Sequence, residues 1–228
     1  MSSVSFVPKV PQDQLGGTTI GFTARYTCEK YFNSICAIVG EVNYVHTGWK
    51  ERILDINDQP VLLHSDTTQA LRFSRKLTYL QVPVFARMGW GRERSGLQAF
   101  FQAGPQLAVY ISDQNDANFD VRQTPFNPGP TGNRNPDYQY YERTSHVVAQ
   151  DTMAVENKFD YGITVGAGIE FSHRRLGHFI LEGRYYYGLG NIYGNTKRDY
   201  FARSNYNTIN IKLTYLFDII RTRNPKIK

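Results

Sequence analysis

The sequence predicts an all-β protein, an eight-stranded antiparallel up-and-down transmembrane β-barrel whose first strand is truncated in this chain. Three observations predict it. Long segments alternate apolar and polar residues with period two, the connections between them alternate short and long, and the composition is aromatic (14%) and glycine-rich (19 residues) but holds only 3 methionines. The whole of 1–228 reads as one domain, with 218–228 as a periplasmic tail.

No stretch approaches the ~18 to 20 uninterrupted apolar residues that a membrane-spanning helix needs. A spanning strand needs only about 9 to 11 residues and shows lipid every second one, so a barrel looks hydrophilic on average. The net charge of +6 is modest, and lysines and arginines are spread along the chain without forming a basic stripe, which argues against a nucleic acid partner.

Along the chain, Ser2–Val7 is the outer end of a first strand, followed by a loop through Pro8, Pro11, Gly16 and Gly17. The opening residues lack a charged segment followed by an apolar run, so no export signal is visible and a trimmed N-terminus is expected. Ile20, Phe22, Ala24 and Tyr26 then face away from Gly21, Thr23, Arg25 and Thr27, and Ile38, Val42 and Tyr44 face away from Val39, Glu41, Asn43 and Thr47. Leu80, Val82, Val84, Ala86, Met88 and Trp90 oppose Tyr79, Gln81, Phe85, Arg87 and Gly89. Ala99, Phe101, Ala103, Leu107, Val109 and Ile111 oppose Gln98, Gln102, Gly104, Gln106, Tyr110 and Ser112. The clearest alternation is 159–172, where Phe159, Tyr161, Ile163, Val165, Ala167, Ile169 and Phe171 interleave with polar residues and glycine. Two further strands carry Phe179, Leu181, Tyr185, Tyr187 and Leu189, and Ile209, Ile211, Leu213, Tyr215 and Phe217.

The connections 30–34, 91–96 and 173–177 are short, whereas 50–76, 113–157 and 191–204 are long. Outer-membrane barrels of Gram-negative bacteria pair short periplasmic turns with long extracellular loops, and this asymmetry places both termini in the periplasm. Placing the apolar face against lipid follows from the polar face, which is glycine, threonine, glutamine and serine with isolated charges of both signs. Arg25, Glu41, Arg87, Glu170, Glu182, Arg184 and Lys212 are expected to form a lumen charge network, because eight strands leave a bore that side chains fill. Tyr26, Trp90, Phe171, Phe179, Tyr215 and Phe217 fall on the apolar face near the short turns, and Tyr44 and Tyr187 lie toward the other end, as interfacial girdles do.

Cys28 and Cys36 flank a tight connection and share a face by strand parity; a hairpin centred on Phe32 opposes them directly, making them a candidate disulfide, with two free thiols as the alternative. His46, His64, His146, His173 and His178 have no metal-site spacing. Small barrels can carry hydrolytic chemistry on a rim, with His46 or His146 beside Ser65 or Ser145, but no nucleophile elbow, triad order or carboxylate pair accompanies them. Gly162, Gly166 and Gly168 sit within an alternating strand, where they relieve crowding in the lumen instead of binding phosphate. The sequence therefore predicts no enzyme, no catalytic residues, no cofactor and no metal.

Four segments, EVNYVHTGW (41–49), LTYLQVPV (77–84), FDYGITVGAGIE (159–170) and LEGRYYYGLG (181–190), resemble in order the motifs of the PorT-like outer-membrane β-barrel domain proteins, a group of porin-like small barrels. That resemblance implies an outer-membrane location and transfers no catalytic residue. The function expected is that of a non-enzymatic barrel with a filled lumen, bathed in outer-membrane lipid, monomeric, and contacting a protein partner or surface component through its loops. Tyr138, Tyr140, Tyr141, Arg134 and Arg143 in the longest loop are the expected contacts. The alternatives are a small-solute porin and a soluble lipocalin-like ligand-binding barrel.

Overall fold

A computed structural model of the chain describes residues 1–7, 9–28, 34–54, 58–62, 68–92, 95–119, 153–173, 175–194 and 201–219. Every regular element among them is a strand: β1 (Ser2–Val7), β2 (Gln12–Gln14), β3 (Thr19–Thr27), β4 (Ile35–Arg52), β5 (Arg72–Gly91), β6 (Gly96–Ala117), β7 (Phe159–His173), β8 (Gly177–Gly188) and β9 (Arg203–Leu216). The ladder is antiparallel throughout and runs β1-β9-β8-β7-β6-β5-β4-β2, with β3 also on β4. Consecutive strands are neighbours because short turns can join only antiparallel partners. Gly177, at φ 85°, supplies the left-handed residue that lets β7 turn back into β8.

The alternation read from the sequence separates the two faces of the sheet. Val165, Leu181 and Leu213 are 38%, 48% and 76% exposed, whereas Glu170 and Arg184 are 1% and 8% exposed. The apolar face therefore points outward and the ionic face is enclosed, the reverse of a soluble barrel with an apolar pocket. Tyr26, Trp90, Phe171, Phe179, Tyr215 and Phe217 all lie on the outer face toward the short turns, with Tyr44 and Tyr187 toward the long loops.

Several elements differ from the expectation. The strands extend further at the long-loop end: β4 continues to Arg52, β5 starts at Arg72, and β6 runs to Ala117. Here the pattern inverts, with Trp49, Phe73 and Leu77 buried inward and Lys76 and Arg52 exposed outward. Outside the hydrocarbon layer the outer wall meets water, so the apolar residues belong inside. A β-bulge shifts the β5–β6 register between Thr78 and Tyr79, moving their partners from Ser112 to Tyr110 and leaving Ile111 as the extra residue. It flips the parity of the rest of β6 and brings Asp113 to Arg75.

The predicted loop through Pro11 and Gly16 is also partly strand. Gln12–Gln14 pairs with Trp49, Lys50 and Glu51 of β4, and β3 then continues along the same partner, so β2 and β3 together occupy one strand position around the barrel. Nine segments thus fill eight positions. The ends of the ladder meet at the long-loop end: Ser2 N donates to Leu15 O at 3.0 Å and Leu15 N to Ser2 O at 3.1 Å. The Gln12 amide imitates a strand backbone, accepting from Val4 N (3.1 Å) and donating to Val4 O (2.7 Å). Toward the short-turn end β3 and β9 meet through side chains, Asn210 Nδ2 to Thr19 Oγ1 and Lys212 Nζ to Thr23 Oγ1, both 3.3 Å.

The outward assignment predicts a depth-dependent penalty. Val165→Arg, in the middle of the apolar belt, is expected to cost about 2–4 kcal/mol in denaturant titrations of the protein refolded into lipid vesicles, whereas Arg at the exposed strand-end position of Lys76 is neutral.

Candidate functional site

Period two aims one side chain in two from every strand into the bore, and the seven charged residues singled out in the sequence assemble there in two adjoining groups. In the middle of the barrel Glu41, on β4, faces Arg184 on β8 across the bore. Arg184 Nη1 and Nη2 donate to the two oxygens of Glu41 at 2.7 Å each, the bidentate geometry a guanidinium fits best. Lys212 Nζ on β9 adds a third bond to Glu41 at 2.8 Å and Asn43 Nδ2 a fourth at 2.9 Å. Arg184 also donates to Glu182, whose other oxygen accepts from Gln102 Nε2 at 2.9 Å. The guanidinium carbon lies 4.7 Å from the centroid of the Phe85 ring, so its face is covered as well as its edge.

The second group lies toward the short turns and centres on Glu170 of β7. Arg25 Nη1 donates to both Glu170 oxygens at 2.8 Å, Arg87 bonds one of them, and His178 Nδ1 stands 2.7 Å from the other. Arg87 stacks over Phe100 at 3.5 Å. Glycine on the wall makes the room: a Cβ on Gly168 would lie 2.8 Å from the Phe100 ring, and one on Gly162 2.7 Å from the Tyr186 ring. These are ordinary strand glycines opposite large lumen side chains, in keeping with the expected relief of crowding.

Ser172, His178 and Asp218 line up at the inner rim, with Ser172 Oγ 2.9 Å from His178 Nδ1 and His178 Nε2 3.2 Å from Asp218 Oδ1. The line has the order of a catalytic triad but not its chemistry. Ser172 is 1% exposed, and the nitrogen that would take its proton also faces Glu170, so the imidazole is a partner of that carboxylate. His46 bonds Thr78 Oγ1 at 3.1 Å on the outer wall, and His173 is exposed at the end of β7. His64, His146, Ser65 and Ser145 lie outside the described residues, as do the loop residues Arg134, Tyr138, Tyr140, Tyr141 and Arg143. Among the described residues no cluster of three metal-ligating side chains occurs. Cys28 and Cys36 stand opposite one another as free thiols, Cys28 N donating to Cys36 O at 2.8 Å.

The sequence reading expected a polar interior from end to end, and the upper storey departs from it. Toward the long loops the bore is filled by Phe6, Trp49, Tyr79, Tyr186, Tyr193, Phe201 and Tyr206, all buried. Phe6 meets Trp49 edge-on at 5.4 Å and Phe201 at 4.6 Å, while Tyr193 stacks on Phe201 at 5.7 Å. Val155 and Ile192, from two of the three long connections, pack onto this cluster, and Asn157 Nδ2 ties them together through Asn191 O at 2.8 Å. Arg75 crosses the storey to Asp113 Oδ2 (2.9 Å from Nε), Tyr193 Oη (2.9 Å) and Met153 O (2.9 Å). Burial pushes the Tyr193 phenol up to about 12 against the pull of Arg75, so it stays protonated. The inward parity of Tyr79 and Tyr186 was the one local hint. Phe6, Tyr193 and Phe201 come from segments whose approach only the tertiary fold creates. Between the two ionic groups a void of about 10 Å³ touches Glu41, Arg87, Gln102 and Arg184, room for about one water.

The whole ionic set is thus enclosed by a wall whose outer face is apolar, and the model of the outer membrane protein beta-barrel domain family matches residues 1–194. The chain belongs to that family. It is accordingly an outer-membrane β-barrel protein, and the exposed belt of β3 to β9 is its lipid face. No curated protein and no solved structure matches it. In this outer-membrane barrel the Glu170 carboxylate is the common acceptor of two guanidinium groups and an imidazole. Glu170→Ala leaves the Arg25 and Arg87 guanidinium groups enclosed without their counter-charge, and a loss of about 3–5 kcal/mol is expected in urea titrations of the refolded barrel followed by tryptophan fluorescence.

Proposed function

We propose that this protein is an integral outer-membrane barrel of the PorT-like kind whose lumen is a structural plug, and that it acts through its long-loop end as a contact surface, without catalysis and without conducting solutes. The observation that carries this reading is the continuous filling of the bore. From the Glu170 group through the Glu41–Arg184 pair to the aromatic storey, each level is occupied by side chains from facing strands. A porin needs a water-filled lumen, which takes more strands or thinner walls than eight positions allow. The four motifs in family order support the PorT-like assignment, and the buried serine at the rim histidine supports a role other than hydrolysis.

Contact with a partner then falls to the connections at the long-loop end, above all residues 118–158, where aromatic and arginine side chains concentrate. The barrel below offers a rigid base, since Val155 and Ile192 anchor the ends of two of these connections in the aromatic storey.

Two measurements test the proposal. Protein refolded in detergent is expected to migrate faster before boiling than after, and in planar bilayers it is expected to give no stepwise conductance; regular single-channel steps would establish a pore and overturn the plug. Protease added to intact cells is expected to cut only within the long connections and leave the strands protected, and cleavage at the short turns instead would reverse the orientation.

A further inference from the structure

Strand β3 is held differently from its neighbours. Its backbone ladder is to β4 alone, Thr19↔Val45 through Thr27↔Ala37, and on its other side it reaches β9 by side chains. Its outward residues Ile20, Phe22 and Tyr26 are 78%, 86% and 71% exposed, against 52% and 45% for Ile38 and Val42 on β4. The pairs that set its register run from Ile20↔Tyr44 and Phe22↔Val42 through Ala24↔Gly40 and Tyr26↔Ile38 to Thr27↔Ala37. One step beyond the last of these pairs, Cys28 opposes Cys36. Continuity of the register, the 2.8 Å bond from Cys28 N to Cys36 O, and shared outward parity place the two thiols on the same side of a directly opposed pair. Directly opposed, hydrogen-bonded antiparallel residues have Cα atoms about 5.5 Å apart, within the range a disulfide spans.

We propose that Cys28 and Cys36 are an oxidation site, joined in the mature protein by an intrachain disulfide that staples the edge strand β3 to β4 and locks its register. Both thiols are half-buried at the short-turn end, one outward step beyond Tyr26 of the aromatic girdle and away from the middle of the lipid belt. The oxidant is a protein disulfide of the thiol–disulfide oxidoreductase class met during export. One cysteine, as thiolate, attacks that disulfide and releases a thiolate leaving group. The second then displaces the resulting mixed disulfide, so one S–S bond forms here, one is lost in the oxidant, and the two protons and two electrons pass to the reduced oxidoreductase. The inference rests on export to the outer membrane and is independent of whether the lumen conducts.

The test uses the protein extracted from outer membranes into denaturant with iodoacetamide and without reductant, analysed by intact mass. No adduct before reduction and two adducts after it are expected; two adducts without reduction, or a doubled mass on a non-reducing gel, would overturn the intrachain staple. Heat-modifiable migration of the folded protein supplies the second arm. Reductant is expected to lower the transition of the natural protein by about 5 to 10 °C and to leave that of the Cys28→Ser, Cys36→Ser double variant unmoved. An unchanged transition of the natural protein under reductant rejects the stabilising role, whether or not the double variant folds.

Discussion

Counter-charge across a narrow bore is the interaction on which the rest of this barrel depends. Lining the inside of an eight-position barrel with arginine and glutamate is stabilising only if each charge meets an opposite one, because water has little room to enter and an unpaired buried ion is costly. Glu41 and Arg184 meet from β4 and β8, and Glu170 gathers Arg25 from β3 and Arg87 from β5. These partners are far apart in sequence and belong to strands that do not neighbour one another, so they can meet only when every intervening strand is in register. A slip of one residue would turn lumen charges to lipid and leucines to the bore. The ion pairs therefore act as a check on register around the ring as much as a source of stability.

The same constraint sets the composition of the wall. Where Arg184, Phe100 and Tyr186 reach inward, the facing positions on β7 are Gly166, Gly168 and Gly162, and the rings of Phe85 and Phe100 cover the guanidinium faces that hydrogen bonds cannot satisfy. Aromatic side chains thus serve two purposes here. Outside, they mark the edges of the lipid belt. Inside, they seal the cations and, further up, form a core of their own around Trp49.

That aromatic storey joins the membrane barrel to its long connections. Above the lipid belt the outer wall meets water, so the strands there can fold like any soluble sheet, with apolar residues in and polar residues out. Trp49, Phe73 and Leu77 follow that rule, and Ile53, Val61 and Leu71 extend it beyond the barrel as a small separate cluster. The β-bulge at Ile111 belongs to the same transition, because it turns Asp113 from the wall to Arg75 just where the environment of the outer face changes. A rigid, sealed upper end suits the proposed contact surface on the long loops.

The sequence by itself determined the class, the strand cores and the facing of each side chain, because alternation is a local property: a residue's face follows from its parity within the strand. For the same reason Arg25, Glu41, Arg87, Glu170, Glu182, Arg184 and Lys212 were legible as lumen charges, and Cys28 and Cys36 as sharers of one face. Only the tertiary structure decided which charges pair, since partners lie across the bore and parity carries no distance. It also decided the strand ends, because the pattern inverts beyond the bilayer and residues 50–52 and 72–76 then read as loop. Gln12–Gln14 and the contributions of Phe6, Tyr193 and Phe201 were illegible for a related reason: a three-residue strand is shorter than its own period can reveal, and those aromatics lie in segments placed by contacts with distant strands.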